Sequence, residues 1–118
     1  MLGEMIGEGR GKISTVRVLP SEGGAPRMEV SFQGAGKLLG QDVSQVGTYI
    51  STLTPNGVFN GCGQGMITSK KGDVVLWTGT GVGRPTGPGM TASWRGSLCY
   101  QTTSQAFAGL CKIAIIFE

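Results

Sequence analysis

The stretch Phe59-Asn60-Gly61-Cys62-Gly63-Gln64-Gly65-Met66-Ile67-Thr68 decides the fold. Phe59, Gly61, Gly63, Gly65 and Ile67 share one parity, while Asn60, Gln64 and Thr68 share the other, which is the two-residue period of a β-strand with one buried face. Glycine at alternate positions removes several side chains from that face, where a sharply coiled strand can bend inward or an aromatic ring can lie on the backbone. The same Gly-x-Gly spacing recurs at Gly7-Glu8-Gly9-Arg10-Gly11, Gly34-Ala35-Gly36 and Gly79-Thr80-Gly81-Val82-Gly83. A dinucleotide-binding fingerprint would need such glycines to lead from a strand into a helix that receives a pyrophosphate. Here Pro85, Gly87, Pro88 and Gly89 follow one copy and β-type alternation follows the others, so the structural reading stands.

Alternation extends outward in both directions. Met28, Val30 and Phe32 oppose Glu29 and Ser31, and Ala92, Trp94, Leu98 and Tyr100 oppose Ser93, Arg95, Ser97 and Gln101. Turn chemistry punctuates these runs at Pro20 to Gly24, Gly40-Gln41-Asp42, Pro55-Asn56-Gly57 and Lys70 to Asp73, at Arg84 to Gly89, and near Thr103 to Ala106. Asn56-Gly57 is the strongest hairpin cue, because both residues tolerate positive φ. Strands are therefore expected at about 6–19, 26–38, 46–54, 58–69, 74–83, 90–102 and 107–117, with an eighth if the first breaks at its glycines. The expected fold is all-β, a closed or nearly closed antiparallel up-and-down barrel of seven to eight strands with almost no helix. A flat open sheet of this length would leave a large apolar face in water.

Parity assigns Met28, Val30, Phe32, Tyr49, Leu53, Phe59, Ile67, Val75, Trp77, Ala92, Trp94, Leu98 and Tyr100 to the interior. If the strands alternate in direction, the glycines of the first four should gather toward one end and those of the fifth toward the other. The rings either fill the space above the glycines or leave a pocket, and of the two the solid core is preferred.

Composition bounds the chemistry. The chain has 118 residues, of which 22 are Gly, with 39% hydrophobic and 14% charged residues, and it reads as a single domain over residues 1–118. His is absent, which removes histidine acid/base catalysis, Ser-His and Cys-His dyads and every histidine metal ligand. Cys62, Cys99 and Cys111 form no close pair, so no metal site is expected, and no cofactor. The net charge of +3 comes from scattered Lys and Arg rather than a dense patch with stacking aromatics, which argues against nucleic acid. The N-terminal residues lack a basic-then-apolar leader, and the longest apolar run, Ile113 to Phe117, is far below the ~20 residues of a membrane span. A cytoplasmic protein without membrane contact is the expectation.

Several stretches carry a family likeness: the Gly-x-Gly strands, Gly47-Thr48-Tyr49, Leu76-Trp77-Thr78-Gly79 and Ser93-Trp94-Arg95-Gly96-Ser97. In these the chain resembles the small calycin-type barrels of the allene oxide cyclase and dirigent-like group, particularly its uncharacterised bacterial members. The resemblance covers most of the chain as a pattern, without a diagnostic motif, and implies an up-and-down barrel that is often oligomeric. Substrate-handling residues of the plant members cannot be matched here position by position. Avidin-like barrels are a near neighbour, but their spaced tryptophans are not matched by Trp77 and Trp94 alone.

Three functions follow. The barrel binds a small apolar ligand, with Phe32, Tyr49, Phe59, Trp77, Trp94 and Tyr100 as candidate ligand-binding residues. Alternatively, shape alone holds a reactive lipid-like molecule while it cyclises or isomerises. In the third, Cys62, Met66, Val74 and Leu76 on the outer face pack against further copies in a dimer or trimer. Arg95 is a ligand-binding candidate if the inside and outside are inverted, and otherwise an exposed or subunit-contact residue; the second is preferred because burying the aromatic parity stabilises more. No catalytic constellation stands out. Cys62 lacks a base to activate it and reads as a small, partly buried residue. In the final hairpin, pairing Leu98 with Cys111, Gly96 with Ile113 and Trp94 with Ile115 keeps apolar residues together, turns Cys111 inward and Cys99 outward, and leaves both thiols free.

Overall fold

Strand after strand pairs with its sequence neighbour. The structure, a computed structural model, describes residues 3–89 and 91–118. It contains β1 (Gly7–Glu22), β2 (Ala25–Leu38), β3 (Gln41–Leu53), β4 (Phe59–Ser69), β5 (Val74–Pro85), β6 (Ala92–Thr102), a 3-10 helix (Gln105–Lys112) and β7 (Ile115–Phe117). All seven strands lie in one antiparallel sheet in the order of the sequence. Among the described residues no ladder joins β1 to β7, so hydrogen bonds do not close the sheet.

Two-residue turns set the register where the chain can adopt them. Gly23 (φ 58°) and Gly24 (φ 83°) connect β1 to β2 with both central residues left-handed, the geometry that suits the right-handed twist of a hairpin. The β2–β3 turn lies at Leu39-Gly40 rather than Gly40-Gln41-Asp42, with Leu39 at φ 50°, and β3 begins at Gln41 instead of residue 46. At Asn56-Gly57 only Gly57 takes positive φ. The loop is wider than a two-residue hairpin and closes through Thr54 N–H donating to the Val58 carbonyl at 2.8 Å.

β1 does not break at its glycines into an eighth strand. It continues to Glu22 with a register shift between Ile13 and Thr15 that absorbs the bend. The sixth strand is described from Ala92, and its expected start at Met90 lies outside the described residues.

The largest departure from expectation is at the C-terminus. Instead of a strand over 107–117 the chain forms the 3-10 helix and then three β-residues, paired Leu98–Ile115, Ser97–Ile116 and Gly96–Phe117. The expected pairing of Leu98 with Cys111 does not exist, and Cys111 is exposed on the helix rather than turned inward. The physical reason is burial: Phe107 and Leu110, three residues apart, reach the same cluster from one helical face, where each is about fully buried. That cluster joins Leu38, Ile67, Val75, Tyr100 and Ile115, with Ile6 and Trp77 packed against it.

The parity assignment of the two faces agrees with the structure. Every one of the thirteen residues assigned to the interior from Met28 to Tyr100 is buried or half-buried, while their strand neighbours on the outward parity of β4 to β6 are mostly exposed. β1 differs, being exposed over almost its whole length as the free edge of the sheet, and its Glu8, Arg10, Lys12 and Arg17 all face outward. Charge on an edge strand discourages pairing with stray strands.

Candidate aromatic cavity

The ladder registers place the inward residues in cross-strand rows. One row runs Phe32–Gly47–Gly65–Trp77–Tyr100, the next Val30–Tyr49–Gly63–Gly79–Leu98–Ile115, and the next Met28–Ser51–Gly61–Gly81–Gly96–Phe117. Gly63 thus faces Gly79 and Gly61 faces Gly81. The glycines of β4 and β5 form one floor rather than separating to opposite ends as expected, because β4 and β5 are joined by the short turn at Lys70 to Asp73 and pair in register along their length.

Each tryptophan lies on glycine from neighbouring strands. A Cβ on Gly61 would come within 2.6 Å of the Trp94 ring, and one on Gly83 would meet the same ring at 2.6 Å. Gly47 and Gly65 do the same for Trp77. The indoles are held there by further rings: Phe32 stacks on Trp77 at 6.3 Å, Phe59 stacks on Trp94 at 6.3 Å, and Tyr49 meets Trp94 edge-on at 5.5 Å and Phe32 at 6.1 Å. The result is a continuous chain of five rings, Trp77–Phe32–Tyr49–Trp94–Phe59, of a kind that adds stability beyond area burial.

These rings do not fill the interior. A cavity of about 860 Å³ remains, bordered by residues from all seven strands and by the segments at both ends of the chain. The preference for a solid core is therefore corrected, and the reason is the rows of glycine: Gly61, Gly63, Gly79 and Gly81 contribute no side chains of their own, and Trp94, Tyr49, Leu98 and Phe117 lean over them without filling the rest of the space.

Of the candidate ligand-binding residues, Phe32, Tyr49, Trp77, Trp94 and Tyr100 border the cavity. Phe59 stands behind Trp94 and supports its ring. Arg95 lies on the outer face, its side chain 73% exposed, with Nε 3.3 Å from a Glu118 carboxylate oxygen. Sequence reasoning missed the contributions of Gln45, Leu98 and the terminal residues Glu4 to Glu8 and Ile113 to Glu118 to the lining. Parity turns Leu98 inward without naming it for the site, and the parity of Gln45 could have found that residue too. Nothing local foretold that the termini border the same space.

Electrostatically the interior is neutral. No charged residue occupies an inward position of β2 to β7. Tyr49 and Tyr100 are the ionisable groups that point inward, and burial raises both phenol pKa values above the usual 10.0. They stay protonated at neutral pH and act as hydrogen-bond donors rather than as bases. Cys62, Cys99 and Cys111 are all free thiols on exposed residues; Cys62, expected to be partly buried, sits on the outward face of β4, and two outward positions of neighbouring strands, Ile50 and Thr80, flank it. Among the described residues no cluster of three or more Cys, Asp or Glu could hold a metal ion, and no helix is long and apolar enough to cross a membrane.

No known family matches the chain, and no curated protein does. Solved structures similar in fold include the following two. A conserved protein of unknown function, RPA1785 from Rhodopseudomonas palustris, superposes with a TM-score of 0.75 at 14% identity, covering 96% of this chain and 88% of that one. A protein of unknown function from Clostridium acetobutylicum ATCC 824 gives a TM-score of 0.81 at 10% identity over 96% of this chain and 85% of its own. At these identities the likeness shows a shared fold: the chain is a small all-β protein whose architecture recurs in proteins of unknown function from Rhodopseudomonas palustris and Clostridium acetobutylicum.

Proposed function

We propose that the protein binds a small apolar ligand inside the coiled sheet, which acts as an up-and-down barrel of the calycin type seen in the allene oxide cyclase and dirigent-like group. The observation that carries this is the cavity of about 860 Å³ bordered by all seven strands, within the ~300–1,000 Å³ range of small-molecule sites. The space is half open and walled largely by rings and aliphatic side chains, so an apolar ligand would bury surface that water otherwise covers. Native mass spectrometry of freshly purified protein tests it. A retained mass of a few hundred daltons per chain is expected; a bare chain, together with no thermal stabilisation by any member of an apolar compound panel, would overturn it.

A second reading, compatible with the first, concerns the outer face. Val46, Met66 and Leu76 are direct cross-strand neighbours, exposed by 45, 41 and 49%, and a shallow groove of about 560 Å³ runs beside them. Every outward residue from Ser44 to Thr52 on β3, Asn60 to Thr68 on β4 and Val74 to Val82 on β5 is uncharged. Depletion of charge marks the centre of protein interfaces. With the outward residues of β6, among which Arg95 is the one charge, the panel spans four strands and five outward positions along each, about 500 Å² by strand spacing alone. Rim side chains bring that toward the ~800 Å² per partner of a specific pair. A second copy presents the same panel, uncharged except for Arg95, so the chain forms a dimer through it, or a trimer if the contact is head-to-tail and closes. Sedimentation at micromolar concentration should give a multiple of the chain mass, and Met66→Lys with Leu76→Glu should return it to one chain; a wild-type mass of one chain would end this reading.

A further inference from the structure

The charge distribution around the cavity narrows the ligand's chemistry, on the footing that the cavity is a binding site. Four charged residues border it: Glu4, Glu8, Lys37 and Glu118. Lys37, the one cation among them, is held by Asp42 at 2.9 Å on the outer face, and Glu118 is engaged by Arg95. That leaves Glu4 and Glu8, the latter on the outward parity of β1, in no ion pair among the described residues, and no cation free to receive an anion among the described lining residues. An ionised headgroup brought into this space would lose hydration without a compensating charge, which costs several kcal/mol in proteins.

What the interior does offer is flat apolar surface and hydrogen-bond donors. The indoles of Trp77 and Trp94 border the space, with the glycine rows of β4 and β5 between them along the sheet. The Tyr49 and Tyr100 hydroxyls bond to no other described residue, and neither is sealed from open space. Over the glycine rows themselves Trp94, Tyr49, Leu98 and Phe117 already lie close to the backbone, so the flat surface open to a planar body is that of the rings.

We propose that the cavity selects a neutral, planar, unsaturated or aromatic molecule bearing a hydrogen-bond acceptor such as a carbonyl oxygen, and discriminates against carboxylates and other anions. The acceptor takes a hydrogen bond from Tyr49 or Tyr100, and the planar body lies against the indoles.

Two fluorescent probes that share a skeleton separate charge from shape. N-phenyl-1-naphthylamine is neutral, whereas 1-anilinonaphthalene-8-sulfonate adds one anionic group. Because Trp77 and Trp94 are the only tryptophans and both border the cavity, energy transfer from tryptophan to probe reports occupancy. The neutral probe should bind at least tenfold more tightly than the sulfonate. The net charge of +3 would by itself favour the anion, so this preference cannot arise from overall charge. Equal affinity, or tighter binding of the sulfonate with the same energy transfer, would overturn the ligand class while leaving the cavity as a binding site. Energy transfer to neither probe would remove the binding reading itself. The acceptor is read with 2-acetylnaphthalene against naphthalene: the double variant Tyr49→Phe, Tyr100→Phe should weaken the ketone about fivefold and leave the hydrocarbon unchanged. Equal loss of both would overturn the hydrogen bond.

Discussion

The end of the sheet covered by the 3-10 helix and the middle of the sheet beneath Trp77 and Trp94 are written in the same alternation, yet one is packed and the other is hollow. At the covered end Ile67, Val75 and Tyr100 are buried against Phe107 and Leu110, with the last two about fully so. Four to six residues along β4 and β5 the inward residues become Gly63 and Gly61, Gly79 and Gly81, and space opens beside them. The difference teaches that parity decides which face a residue takes, whereas the volume at that position decides between core and cavity. Stability should be concentrated at one end and ligand affinity in the middle.

The largest test of that division is Phe107→Ala. Emptying a fully buried ring site should cost about 3–5 kcal/mol, read as a lowered midpoint in urea, because neighbours held by the sheet cannot collapse into the hole. A loss below about 1 kcal/mol would mean that the helix is not an integral part of the core. Its counterpart in the middle is Gly61→Val. Here a side chain meets the Trp94 ring rather than solvent, so overpacking should cost about 1–3 kcal/mol and alter the near-ultraviolet circular dichroism of tryptophan. Gly87→Ala, where nothing lies within 4 Å, should do neither.

Tyr49 and Tyr100 sharpen the same comparison through pH, since they are the only tyrosines and stand on either side of the boundary. Both folded pKa values are raised by burial, so the native state holds these protons more tightly than the unfolded state does. Their contribution is complete below the unfolded value near pH 10 and is lost as pH rises through the folded values. Absorbance at 295 nm should rise at higher pH in the native protein than in the unfolded chain. A ligand filling the cavity should delay Tyr49 more than Tyr100. A native titration at or below the unfolded one would show that neither phenol is shielded.

The smallest effect is expected outside both regions. Arg95→Ala breaks an exposed ion pair with Glu118, and such pairs contribute within about 0.5 kcal/mol. A larger loss would mean that the outer face around β6 is covered, as the dimer reading allows.

Much of the fold was legible in local pattern. Strict alternation through Phe59 to Thr68 and Ala92 to Gln101 assigned the inward residues, because a one-residue slip in a strand reverses every side chain. The rings of the site were legible for the same reason, including the placement of Arg95 outside. The C-terminal segment was not, since Phe107, Leu110 and Ile115 suit a strand or a helix equally well until one asks which surface needs covering. Neither was Leu39, a bulky residue that takes left-handed geometry at φ 50° because strand pairing on both sides demands a two-residue turn there.

By itself the sequence determined an all-β meander, its two faces, and an interior without charge, all consequences of period-two patterning and composition. Only the tertiary structure decided that the glycines of β4 and β5 lie opposite one another, that the last apolar residues cap one end as a helix, and that a cavity remains between. Each of these depends on which strand positions become neighbours across the sheet, and cross-strand register is a property of the folded chain that no single strand carries.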